Sequence, residues 1–202
     1  MKKALNLLGV MVMIGMLFGV AKADQLAFVT TLTGAQEVPP NASPGIGSAL
    51  VTIDTVTNLM TVNVAFAGLL SPTTIAHIHC CAGVGGLAIP ATTVPSFPGF
   101  PVGVTTGSYL QTFDLTLAST YNPAFIAAHG GTVASAQAAF IAGLLNGQAY
   151  FNIHTMQFPN GEIRGQLQLQ QPIPEPATLL LMGTGLTAAV GVIRRRQRKP
   201  QR

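Results

Sequence analysis

The chain has 202 residues, and only 8% of them are charged, against about 25% in an ordinary soluble protein. Nine of its ten basic residues lie at the two ends: Lys2, Lys3 and Lys22, then Arg194, Arg195, Arg196, Arg198, Lys199 and Arg202. The stretch from Asp24 to Gln171 carries Asp24, Glu37, Asp54, Asp114 and Glu162 against Arg164 alone, a net charge of −4; it offers no basic face for phosphates, and nucleic acid is excluded as a partner.

In chain order, residues 1–23 come first. Lys2-Lys3, an apolar run over 4–20 and Ala21-Lys22-Ala23 have the parts of a Sec signal peptide, with cleavage expected after Ala23. The middle, 24–171, is long enough for one core. Short runs rich in Val, Thr, Ile, Phe and Tyr, separated by Gly and Pro, predict strands near 26–33, 47–54, 60–66, 74–79, 108–117, 148–154 and 162–168. Residues 60–66 alternate apolar and polar, which suits a strand with one buried face. Residues 90–107 hold four prolines and three glycines and are expected as a long surface loop. The Ala-rich segment 132–145, opened by Thr132 and closed by Asn146-Gly147, predicts one short helix. Seven closely spaced strands point to an all-β, Greek-key β-sandwich of immunoglobulin-like or superoxide-dismutase-like type.

The last segment, 172–202, opens on Pro174-Glu175-Pro176 and continues through an uncharged run over 177–193 to Arg194-Arg195-Arg196. Seventeen residues are about the minimum for a transmembrane helix, and an arginine cluster belongs on the cytoplasmic side. The three parts in this order resemble the PEP-CTERM sorting signal of Gram-negative bacteria. The resemblance implies recognition by an exosortase, transient residence in the inner membrane, removal of the tail, and delivery to the cell surface or extracellular matrix, typically in biofilm- or floc-forming species.

Three motifs mark the middle: Gly34-Ala35-Gln36-Glu37-Val38-Pro39-Pro40; Gly68-Leu69-Leu70 followed by Ala76-His77-Ile78-His79; and Tyr150-Phe151-Asn152-Ile153-His154-Thr155 followed by Pro159-Asn160-Gly161-Glu162-Ile163-Arg164-Gly165-Gln166-Leu167. Their order and spacing resemble the CHRD domain, first described in chordin, over residues 28–167. One departure stands out. The His-x-His pair of that family is commonly followed by Gly-Pro, and here Cys80-Cys81 follows.

On a strand, His77 and His79 share a face, and Cys81 joins them if the strand continues. Imidazoles at i and i+2 with a third, His154, from a neighbouring strand can bind Cu or Zn. The competing reading is a buried hydrogen-bonded network of the same histidines with Glu162 and Arg164, because a lone buried arginine calls for a carboxylate. The three imidazoles are expected to cluster, with His79 nearest His154. Cys80 and Cys81, in an oxidising exported compartment, are open to a vicinal disulfide, to disulfides with partner chains, or to a ligand role for Cys81. Nucleophile elbows, His-Glu-x-x-His and phosphate-binding loops are missing, so no enzyme activity and no cofactor are expected. The expected function is non-catalytic binding of extracellular polysaccharide or a surface protein; the alternative is a metal-binding or redox protein built on His77, His79 and His154.

Overall fold

The computed structural model describes residues 25–170. Eight strands and two helices follow one another: β1 (Gln25–Thr33), β2 (Ile46–Asp54), β3 (Leu59–Ala67), β4 (Thr73–Cys80), β5 (Gly107–Asp114), α1 (Pro123–Ala128), α2 (Val133–Leu145), β6 (Ala149–Thr155), β7 (Ile163–Gln166) and β8 (Gln168–Leu169). The expected signal peptide (1–23), the transmembrane run (177–193), Pro174-Glu175-Pro176 and Arg194–Arg196 lie outside the described residues. Among those described, no helix is long and apolar enough to cross a membrane.

The β-rich expectation holds, with two corrections. First, the strands form one curled antiparallel sheet, ordered β4-β6-β7-β1-β2-β3-β5 with β8 also on β1, and not the two separate sheets of a sandwich. The seam between β7 and β1 is a single register pair, Thr33 with Arg164. Second, there are two helices. α1 was not expected, although Asn122 caps it by accepting from the Ala124 N–H and Pro123 opens it, a readable start signal. α2 matches expectation. Thr132 and Ser135 form a reciprocal capping box, and Gly147, at φ +64°, takes the left-handed position that ends the helix.

Alternation explains the core. Along β3, Met60, Val62, Val64 and Phe66 are buried between exposed or half-exposed residues. They meet Ala49, Val51 and Ile53 of β2, Ile78 of β4 and Phe151 and Ile153 of β6. Phe125 of α1 and Phe140 and Leu144 of α2 close the same core. The segment 90–107 is a largely exposed loop, as expected, but it is pinned to the core. It buries Ala91, Thr92, Phe97 and Phe100. Phe97 stacks on Phe151 of β6 with ring centroids 5.9 Å apart and packs on Phe113 of β5 at 5.2 Å. Its N–H donates to the Ala76 carbonyl of β4 at 3.0 Å, so Phe97 bridges the strands at opposite ends of the sheet order. Burying two such aromatic side chains is worth roughly 1.5–3 kcal/mol each.

Candidate metal centre

β6 is buried along its whole length, which only a strand covered on both faces can be. Its core face carries Phe151 and Ile153. Its other face carries Tyr150, Asn152 and His154, because successive side chains alternate. Register completes a polar layer. Across to β4, His79 opposes Tyr150 and His77 opposes Asn152, while His154 opposes Ile75. Across to β7, Tyr150 opposes Gln166 and Asn152 opposes Arg164. Loops roof this layer through backbone carbonyls: Gly86 accepts from Arg164 Nη2, Ala82 from Gln166 Nε2, Ala88 bonds His79 Nδ1, and Pro159 bonds His154 Nδ1.

The three histidines cluster. They are 4, 8 and 6% exposed for His77, His79 and His154, and their potential ligand nitrogens all lie within 4.8 Å of one another. Centroid separations are 4.5 Å for His77–His79, 4.8 Å for His77–His154 and 6.1 Å for His79–His154. His77 is therefore the centre of the group, and the expected closest approach of His79 to His154 is corrected. Register is the cause, since His154 pairs with Ile75 and so sits one row of side chains from His77 and two rows from His79.

Hydrogen bonding fixes which nitrogens are free. His79 Nδ1 lies 2.7 Å from the Ala88 carbonyl oxygen and His154 Nδ1 lies 2.9 Å from that of Pro159. A carbonyl only accepts, so each Nδ1 carries the proton and each Nε2 keeps its lone pair. Both Nε2 atoms, and His77 Nδ1, are buried without a hydrogen-bond partner. Burial holds the imidazoles neutral. His77 is pushed down to about 3 by desolvation and then by the neighbouring His79 and His154. His79 is pushed down to about 4, again chiefly by desolvation, and His154 is lowered for the same reason. Three clustered neutral imidazoles, two of them oriented by Nδ1–H to backbone carbonyl bonds, have the chemistry of a metal ligand set.

The expected network with Glu162 and Arg164 is built differently. Glu162 accepts from Ser43 Oγ and the Leu70 N–H, each at 2.6 Å, and from Thr155 Oγ1 at 2.7 Å. It ties three loops together and touches neither Arg164 nor a histidine. Arg164, 2% exposed, lies with its guanidinium carbon 3.9 Å from the centre of the Tyr150 ring, whose other neighbour is His79, stacked at 4.6 Å and 5°. The carboxylate that feels its charge is Glu37, 5% exposed and pushed up to about 7 by burial, with Arg164 opposing the rise. Glu37 and Asn152 were not nominated from sequence. Glu37 stands in the first motif and Asn152 shares the face of His154, but only the tertiary fold joins them. A Cβ on Gly161 would lie 2.6 Å from both Glu37 Oε1 and Asn152 Nδ2, so the turn that supplies Pro159 to His154 can come this close only as glycine. Glu37 Oε1, Asn152 Oδ1 and Arg164 Nη1 are also without partners. Every such buried atom among the described residues belongs to this one layer.

Cys81 is no part of the cluster. β4 ends at Cys80, and Cys80 and Cys81 are joined as a vicinal disulfide. It turns toward α2, where Cys81 Sγ lies 3.7 Å from the Ala139 carbonyl oxygen.

This is a curled β-sheet domain with a loop-covered imidazole cluster on the outer face of one strand pair. The chain belongs to the CHRD domain family, which it matches over residues 28–167. Residues 172–199 match the PEP-CTERM protein-sorting motif, which implies export through the membrane, processing by an exosortase and sorting to the cell surface. Among curated proteins and among solved structures, none matches the chain.

Proposed function

We propose that this exported protein is a surface metal-binding protein, in which His77, His79 and His154 hold a Cu or Zn ion without catalysis. The observation that carries the reading is a buried cluster in which each of the three imidazoles offers a ring nitrogen within 4.8 Å of the others and each has a buried ring nitrogen with no hydrogen-bond partner. A polar group left unpaired in the interior costs about 1–3 kcal/mol, and a bound ion offsets that cost three times over. The sorting motif supports a place at the outer surface or in the extracellular matrix of a biofilm. Binding of polysaccharide or a surface protein by the same domain is supported by that address and by no side-chain cluster, so the metal centre takes precedence.

The test is metal analysis of protein purified after export from cells grown with Cu and Zn. About one equivalent of either metal per chain is expected, lost in His79→Ala. Metal-free protein that also fails to take up Cu or Zn in vitro would sink the reading.

A further inference from the structure

Three neutral nitrogen donors constrain which ion the cluster takes. We infer that the centre selects cuprous copper, Cu(I), over Zn(II) and Cu(II), an inference that rests on the metal-binding reading above.

Donor number is the first argument. Structural Zn is almost always four-coordinate, and Cu(II) prefers a tetragonal set. Cu(I), a d10 ion with no demand for a fourth ligand, is satisfied by three nitrogens in a plane. Among the described residues the cluster comprises His77, His79 and His154. Of the soft donors nearby in sequence, Cys80 and Cys81 are tied to each other beside α2, and Met156 is 72% exposed. Glu162 spends its oxygens on Ser43, Leu70 and Thr155. His77 Nδ1, His79 Nε2 and His154 Nε2 are each shielded from solvent, which disfavours a water as fourth ligand.

Charge is the second argument. Three neutral imidazoles leave the ion's full charge in place, and the cost of burying an ion in a medium of low dielectric rises with the square of its charge. A divalent ion therefore faces about four times the burial cost of a monovalent one. The layer already holds a buried cation, Arg164, two rows of side chains from His79 through Tyr150. Glu37, the carboxylate on this layer that could offset a second positive charge, sits against Gly161 and Asn152 and is coupled to Arg164. A single added charge suits this site better than two.

The experiment uses the full chain purified in detergent under anaerobic conditions. Ascorbate maintains Cu(I), because a thiol reductant would attack the Cys80–Cys81 disulfide. Bicinchoninate competition gives the Cu(I) affinity, and chromogenic chelators give those for Zn(II) and Cu(II). One equivalent of Cu(I) is expected, bound at least about a hundredfold tighter than Zn(II), with X-ray absorption showing three nitrogen donors. His79→Gln and His77→Asn, close to the originals in size, should each weaken Cu(I) binding at least about tenfold while the far-ultraviolet spectrum stays unchanged. Zn(II) or Cu(II) bound as tightly as Cu(I), or a four-donor copper spectrum, would overturn the selectivity and leave the metal site standing. No binding of any of the three ions would remove the site itself.

Discussion

Arg164 and Glu37 share one polar layer but answer to different forces. Arg164 is buried, its guanidinium lies on the Tyr150 ring, and Nη2 donates to the Gly86 carbonyl at 3.1 Å. No carboxylate forms an ion pair with it among the described residues. Removing it costs packing, one hydrogen bond and a cation–π contact, and takes from Glu37 a charge that favours its ionised form, but breaks no ion pair. Arg164→Ala should therefore lower stability by about 1–3 kcal/mol, below the 3–5 kcal/mol expected of a broken buried ion pair. Arg164→Met, which restores volume and removes an uncompensated charge, should lie within about 1 kcal/mol of the parent; urea midpoints measure both, and an Ala cost above that of a broken ion pair would show a hidden counter-charge. Glu37 carries a pH signature. Its pKa rises from 4.5 to about 7 on folding, so the folded chain holds this proton more tightly than the unfolded one. The stabilisation is complete below pH 4.5 and is lost as pH climbs through about 7. His77 and His79, lowered to about 3 and 4, act with the opposite sign; their stabilisation is present above the ordinary histidine range and is lost as pH falls toward those values. Comparing Glu37→Gln with the parent, both metal-free, cancels the histidines. The variant should gain up to about 3 kcal/mol on the parent between pH 5 and pH 8. Equal urea midpoint differences at the two pH values would place Glu37 in water.

At the scale of elements, α2 and the end of β4 meet at one glycine. Gly143 lies in the interior of α2, where Gly→Ala ordinarily stabilises by about 1 kcal/mol. Here an added Cβ would come 2.6 Å from Cys81 Sγ and 3.4 Å from Cys81 Cβ, and closer still to Cys80 Sγ. Gly143→Ala should instead destabilise by about 1–3 kcal/mol. In a Cys80→Ala, Cys81→Ala background the same change should cost markedly less. A thermodynamic cycle of these variants measures the difference, and a Gly143→Ala penalty that survives removal of both sulfurs would refute the contact. Local pattern made the elements legible where one face is wet. β3 was read within a residue at each end, because it alternates and turns bound it. The loop over 90–107 was recognised by its prolines, but the burial of Phe97 and Phe100 was not, since it comes from the gap between β4 and β5 and leaves no periodic trace. The single sheet was also out of reach, because the seam joining β7 to β1 is one residue pair. His77 and His79 followed from i, i+2 spacing. The clustering of His154 with them is expected from its polar strand face, and the β4–β6 register that sets the spacing pairs His154 with Ile75, far away in sequence; Glu37 and Asn152 arrive by tertiary packing alone.

For the whole molecule, charge is segregated by task. The ends carry nine of the ten basic residues, and the domain between them is acidic. The imidazole cluster belongs to the domain; delivery belongs to the tail, matched as a sorting motif over 172–199. Two features of the tail do separable work. Pro174-Glu175-Pro176 is the site at which a sorting protease would read the chain. Arg194, Arg195 and Arg196 follow the uncharged run over 177–193, and such clusters set orientation by staying on the cytoplasmic side. Glu175→Ala should leave orientation intact and block processing, so the chain accumulates in the inner membrane with its tail attached and its domain outside. Replacing the three arginines with Gln should weaken retention of the cytoplasmic end and yield a mixture of orientations, again with loss of surface delivery. Cell fractionation with an epitope tag on the domain, joined to protease accessibility in spheroplasts, separates the two defects. If the imidazole cluster holds a metal, both variants should still load it once purified, because His77, His79 and His154 lie within the domain and not in the tail. Release of the domain from both variants at the parent's rate would show that residues 172–199 are not read as a sorting signal.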